Sequence, residues 1–134
     1  MNSIVKSGAF ILMLCLVMVV AQVHVAAASA KRVVVENDID GEDIGVHCAS
    51  ADDDLGFVPI HPRGQWGFSF HTRLVGKTLF HCRISLRDSS HGLDVYDDNI
   101  HRYVCDTCHW SIRSNGSCLF SSDIRKVDCY DWVN

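Results

Sequence analysis

Apolar and polar residues alternate along most of this chain, and that period of two is the tightest limit on what it can fold into. Ile44, Val46 and Cys48 alternate with Gly45 and His47. Trp66, Phe68 and Phe70 alternate with Gly67, Ser69 and His71, and Phe80, Cys82 and Ile84 with His81, Arg83 and Ser85. Leu93 and Val95 alternate with Asp94 and Tyr96, and Cys108, Trp110 and Ile112 with His109, Ser111 and Arg113. Alternation of this kind puts every second side chain on one face of an extended strand. Val33-Val34-Val35 is β-branched, and Cys118 with Phe120 and Val127 with Cys129 and Tyr130 suggest further strands. Asn37-Asp38, Asp40-Gly41 and Ser114-Asn115-Gly116 supply turns. Pro59 confines the run from Gly56 to Ile60 to a sheet edge, because proline has no N–H for a central ladder. No helical repeat, internal repeat or low-complexity segment interrupts the pattern. The residues therefore predict an all-β domain, an antiparallel sandwich or barrel.

The first thirty residues follow different rules. Lys6 is followed by an apolar run from Ala9 to Val20 and then by Ala26-Ala27-Ala28-Ser29-Ala30. That order is a secretory signal peptide. The expected cut follows Ala30, with an earlier cut in the alanine run as the alternative, so residues 31–134 form one secreted domain. The apolar core of about twelve residues falls short of the ~20 that span a bilayer. No later stretch repeats it, so no membrane insertion is expected after cleavage. The chain carries a formal net charge of −4. It has no basic stripe, which argues against nucleic acid as a partner, since phosphates demand Lys and Arg.

Of seven cysteines, Cys15 belongs to the leader. Cys48, Cys82, Cys105, Cys108, Cys118 and Cys129 remain, an even set that implies a disulfide framework in a secreted chain. Each bridge contributes ~2–4 kcal/mol, mainly by restricting the unfolded chain. Cys48, Cys82 and Cys108 share strand faces with apolar neighbours and are expected toward the core.

Longer phrases carry a resemblance. Val46-His47-Cys48-Ala49-Ser50 runs into Asp52-Asp53-Asp54-Leu55-Gly56. Gly64-Gln65-Trp66-Gly67-Phe68-Ser69-Phe70 and Gly76-Lys77-Thr78-Leu79-Phe80-His81-Cys82 follow. Then come Asp94-Val95-Tyr96-Asp97-Asp98, Cys108-His109-Trp110-Ser111-Ile112-Arg113 and Asn115-Gly116-Ser117-Cys118-Leu119-Phe120. In this order and spacing they resemble the plant self-incompatibility protein family, the S-protein homologues, over about residues 33–134. The resemblance implies a disulfide-stabilised antiparallel β-sandwich of about eight strands, secretion, and no catalytic residues. Founding members are stigma-secreted ligands recognised by a pollen receptor; most homologues have other or unknown roles. Cys48, Cys82, Cys108 and Cys118 fit the family pattern. From it we expect Cys48 to pair with Cys118 and Cys82 with Cys108, leaving Cys105 and Cys129 for an additional bridge.

Several constellations invite other chemistry. Cys105-Asp106-Thr107-Cys108-His109 matches the C-x-x-C-H pattern of covalent haem attachment. All three methionines, Met1, Met13 and Met18, fall in the leader, so the common sixth ligand is missing. A redox pair would open a helix, whereas Trp110 and Ile112 continue a strand. Zinc could use Cys105, Cys108 and His109 with one distant ligand, but the oxidising route and even thiol count favour structural bridges. Neither cofactor nor metal is expected. Asp52-Asp53-Asp54 and Asp97-Asp98-Asn99 lack the spacing of a calcium loop and read as solvated turns. His61, His71, His81, His91 and His101 recur every ten residues. No second residue type recurs with them to make an acid–base pair. The aromatic set, Trp66, Phe68, Phe70, Phe80, Tyr96, Trp110 and Phe120, reads as core. Asn115-Gly116-Ser117 is an N-glycosylation sequon in a hairpin turn.

The sequence thus points to a monomeric, extracellular recognition ligand for an unidentified cell-surface receptor protein. Its contact loops hold Asp52, Asp53 and Asp54, then Asp88 and His91, then Asp97, Asp98, Asn99 and Arg102. Exposed loops on a rigid frame are the usual place for such residues. Alternatives are a small secreted defence or enzyme-inhibitor protein, and a secreted hydrolase using a histidine pair.

Overall fold

In the computed structural model of the chain, residues 28–121 and 123–133 are described. The leader expected over residues 1–30 lies outside them except for its last residues. The Val-rich start forms β1 (Ala30–Asn37). β2 (Ile44–Ala49), β3 (Asp54–Ile60), β4 (Gln65–His71), β5 (Leu79–Ser85) and β6 (Ser90–Asp97) follow. A single helical turn, α1 (Asp98–His101), leads to β7 (Thr107–Arg113), β8 (Gly116–Ser121) and β9 (Lys126–Asp131). Among the described residues nine strands form where about eight were expected. The α1 turn is too short to leave a 3.6-residue period in the sequence.

The strands make two layers. One sheet has the order β4-β1-β7-β8-β9, the other β3-β2-β5-β6. The sandwich is antiparallel except where β1 lies parallel to β7. That pair is possible because the chain between them traverses the second layer, giving the long crossover a parallel pair requires. β3, with Pro59, is an edge strand as expected. Loops alternate between two ends. The β2–β3, β4–β5, β6–β7 and β8–β9 connections gather at the end where β1 starts, here the Ala30 end. The others gather at the Asn37 end, where β1 finishes.

The core forms as the alternation predicts, except that Phe120, expected in it, lies on the outer face and is 39 % exposed. Val33, Val35, Trp110 and Ile112 of one sheet face Val46, Cys48, Cys82 and Ile84 of the other, all essentially without solvent contact. Phe70 packs against Phe80 in a tilted pair at 4.7 Å between ring centroids and against Tyr96 edge-to-face at 4.9 Å. Trp110 Nε1 donates to Val95 O across the layers at 2.9 Å. Burying an indole requires such a partner.

The disulfide pairing differs from the one implied by the resemblance. The bridges are Cys48–Cys82, Cys105–Cys108 and Cys118–Cys129. Register explains it. Cys48 stands directly opposite Cys82 on adjacent strands, with Cα atoms 3.9 Å apart. Cys118 stands opposite Cys129 at 4.0 Å. Packed sheets lie ~10 Å apart, beyond the Cα separation a disulfide tolerates. Cys118 also alternates with inward Leu119 and so lies with Phe120 on the outer face, turned away from Cys48.

Candidate recognition surface

At the Ala30 end the connections are tied down by buried polar groups. Asp97 ends β6 in extended conformation, and its side chain accepts from Asn99 N at 2.9 Å, capping α1. Asp98 turns inward. Its Oδ2 accepts from Thr78 N at 2.9 Å and its Oδ1 from the Tyr96 hydroxyl at 2.8 Å. Asp98 N in turn donates to Thr78 O at 3.0 Å, so the β4–β5 loop is clamped to α1. Burial, with Asp98 second, raises the pKa of the Tyr96 phenol. His101 is buried beneath α1 and accepts from Asp97 N at 2.9 Å. Burial pulls its pKa below the usual histidine value, against the opposing charges of Asp97 and Asp94. Lys31 fastens the rest of the connection. Its buried Nζ donates to Arg102 O at 2.8 Å, Cys105 O at 3.3 Å and Asp106 Oδ1 at 2.7 Å.

Above this frame lies a surface that the sequence pattern did not single out. Leu74 is 70 % exposed and Val75 85 %, while across from them Ile100 is 59 % and Tyr103 88 % exposed. Leu74 and Val75 sit between β4 and β5, outside any alternating run, and Gly76 turns the loop with φ +86°. Apolar residues there have no strand face to fill, and that is the signal that could have found them. Lys77 lies 3.7 Å from Asp97, and Arg102 sits over the Tyr103 ring at 5.9 Å. Beside this tip, a cleft of about 310 Å³ opens between the β2–β3 and β4–β5 loops. Phe70, Phe80 and Ala49 line it with Asp52, His71 and His81. Arg73 reaches Asp52 across it at 3.9 Å.

The residues proposed as receptor contacts do not converge on one face. Asp52 and Asp53 are exposed in the β2–β3 turn, where Ser50 Oγ accepts from both backbone N–H groups at 3.4 and 3.1 Å. Asp54 begins β3. It accepts from Gly56 N at 2.9 Å and lies 2.6 Å from His47 Nε2; these bonds, the first foremost, lower its pKa. Asp97, Asn99 and Arg102 share this end, but Asp98 is withdrawn into the interior. Asp88 and His91 belong to the β5–β6 hairpin at the Asn37 end, about 20 Å away by strand rise. There His91 stacks on Trp132 at 4.5 Å. Trp132 N also donates to Asn115 O at 3.0 Å, and Asn115 occupies the exposed two-residue turn between β7 and β8.

The alternative chemistries meet specific obstacles. Cys105 and Cys108 are bonded to each other and fully buried, so neither offers a thiolate for haem or zinc. His109 points away from them, 2.8 Å from Glu36. Among the described residues, no three His, Cys, Asp or Glu side chains lie close enough to hold a metal. His61 and His81 pair with Asp43 at 3.0 Å and Asp94 at 2.7 Å, not with each other.

The molecule is thus a disulfide-stapled β-sandwich that presents rigidly held loops at either end. Comparison with known proteins identifies the family. Residues 32–132 match the profile of the plant self-incompatibility protein S1 family. S-protein homolog 3 of Arabidopsis thaliana is 40 % identical over 111 residues, covering 78 % of this chain and 74 % of that protein. S-protein homolog 2 is 36 % identical over 111 residues, 78 % of this chain and 69 % of its own length. S-protein homolog 5, also from Arabidopsis, is 31 % identical over 103 residues, 77 % and 78 % respectively. The chain belongs to the plant self-incompatibility protein S1 family.

Proposed function

We propose that this protein is secreted and acts outside the cell as a recognition ligand for a cell-surface receptor protein, without catalysing a reaction. The observation that carries this reading is the Ala30 end. Its charged loops are preset by Asp98, Lys31 and Ser50, so little conformational freedom is lost on binding. Of the residues expected to touch the receptor, Asp52, Asp53, Asp97, Asn99 and Arg102 form one contact set. Asp88 and His91 lie too far away to share it. Charges of this kind govern specificity and encounter rate more than raw affinity.

Secretion begins with cleavage in the alanine run. Thr72 N donates to Ser29 O at 2.9 Å and Ala30 pairs with His71, which supports the earlier cut, before Ser29. Asn115 is the proposed glycan acceptor, on the end away from the contact set.

The test is binding of fluorescently labelled protein, recovered from the medium of expressing plant cells, to intact protoplasts. Saturable binding that unlabelled protein displaces and Asp52→Asn/Asp53→Asn weakens supports the ligand reading. Retention inside the cells, or uptake that does not saturate, refutes it. One observation favours a second reading: His71 and His81 reach the same cleft. Hydrolysis of a nucleotide or peptide substrate, lost in His81→Ala, would move the protein to the hydrolase class.

A further inference from the structure

We propose that α1 is an acid-released latch: protonation of His101 opens the turn and disperses Asp97, Asn99 and Arg102. That these residues touch a receptor rests on the proposed function; the opening itself does not. The His101 ring is buried, and its Nδ1 accepts the backbone N–H of Asp97 at 2.9 Å. A backbone amide can only donate there, so Nδ1 is the bare nitrogen of a neutral imidazole. Charging the ring places a proton between two donors, which ends the bond and leaves a charge in a buried site. The Tyr96 and Trp110 rings stand against His101, each at 6.0 Å between centroids. Their polar groups are already bonded, the Tyr96 hydroxyl to Asp98 and the Trp110 N–H to Val95 O. The charged neighbours are bonded too. Asp98 accepts from Thr78 N as well, and Lys31 Nζ donates to Arg102 O, Cys105 O and Asp106. Asp94 lies 2.7 Å from His81, Asp97 caps Asn99 and lies 3.7 Å from Lys77, and Arg102 sits over Tyr103. Burial lowers the His101 pKa, although Asp97 and Asp94 favour the charged ring. The turn can open without the sandwich. It is four residues long, and Ile100 on it is exposed, so few apolar contacts hold it down. His47, His61, His81 and His109 instead bond to carboxylates, where a charged ring strengthens the tie.

The experiment is amide hydrogen exchange of the full secreted chain, resolved by NMR from pH 7.5 to pH 4.5 and corrected for the intrinsic rate at each pH. Protection of the Thr78, Asp97 and Val104 amides should fall about tenfold for each pH unit below 6.5, until the folded pKa is reached. That slope is one proton taken up on opening. Amides of β1, β2 and β8 should keep their protection. His101→Gln gives the Asp97 N–H an acceptor that does not titrate, so protection should stay level across the range. Unchanged protection in the parent at pH 4.5 overturns the latch. So does loss in step with β1, or an equal loss in His101→Gln. The His101 ring resonance gives a second measure that needs no variant: a titration midpoint at or above 6.5 also overturns it. Protoplast binding by the parent should weaken at pH 5 and persist in His101→Gln. A chain that binds no protoplasts at any pH fails the ligand reading, while exchange alone decides the latch.

Discussion

Replacing Asp98 by alanine tests the account of how the contact loops are held. The substitution removes the acceptor for two buried donors, Thr78 N–H and the Tyr96 hydroxyl. Leaving a buried donor unsatisfied costs about 1–3 kcal/mol, so Asp98→Ala should lose ~2–5 kcal/mol of stability. For a domain near one hundred residues each kcal/mol lowers Tm by roughly 4–8 °C, which puts the melting point at least roughly 8 °C below the parent. Asp98→Asn keeps one acceptor oxygen and should lose about half as much. Tyr96→Phe removes one of the stranded donors, so the double variant with Asp98→Ala should be less destabilised than the sum of the two, by about 0.5–3 kcal/mol. Urea unfolding followed by tryptophan fluorescence, with circular dichroism as a second probe, measures the parent and the four variants. If Asp98→Ala lies within about 0.5 kcal/mol of the parent, the range of an ordinary surface substitution, the clamp does not exist as described.

Three further outcomes follow from the same structure. His101 is lowered below its unfolded value of 6.5, so the unfolded chain takes the proton first. Its contribution to stability is full above pH 6.5 and declines as pH falls through the folded pKa; urea midpoints at pH 7.5 and pH 5.5 should differ, and His101→Gln should shrink the difference. Peptide mapping under non-reducing conditions should recover Cys48–Cys82, Cys105–Cys108 and Cys118–Cys129, whose sequence separations are 34, 3 and 11. Loop-closure entropy then ranks their serine-pair variants at about 4, 1.5 and 3 kcal/mol, and equal losses would refute that ranking. Trp110→Phe should cost ~1–3 kcal/mol in unfolding experiments, because Val95 O loses its buried donor.

The alternating runs from Ile44 to Ile112 revealed both inward faces because a strand's side-chain period is fixed by its backbone. The pairing of strands was not written there. It depends on which loops cross the sandwich, so the parallel β1–β7 contact was invisible. The cysteine pairing failed for the same reason, although one local clue was present: Cys118 alternates with Leu119, and both cannot face the core. Asp98 misled because a carboxylate beside Asp97 and Asn99 looks solvated. Only Tyr96 two residues earlier and the distant Thr78 turn it inward. Leu74 and Val75 lie outside every periodic segment, where pattern reading has nothing to say.

Apart from the backbone itself, no covalent link joins the two layers among the described residues. Two bridges each rivet strands within one sheet, and the third cinches the entry to β7. Mechanically the molecule is a pair of stiffened leaves bound along their rims. Shear along a leaf meets sulfur–sulfur bonds, while force that peels the leaves apart meets the interleaved side chains and side-chain hydrogen bonds such as Trp110 to Val95 and Asn37 to Ile60. Because β1 and β9 belong to the same five-stranded leaf, a pull on the chain ends loads that leaf in shear, and the Cys118–Cys129 bridge is the rivet that holds its last strand.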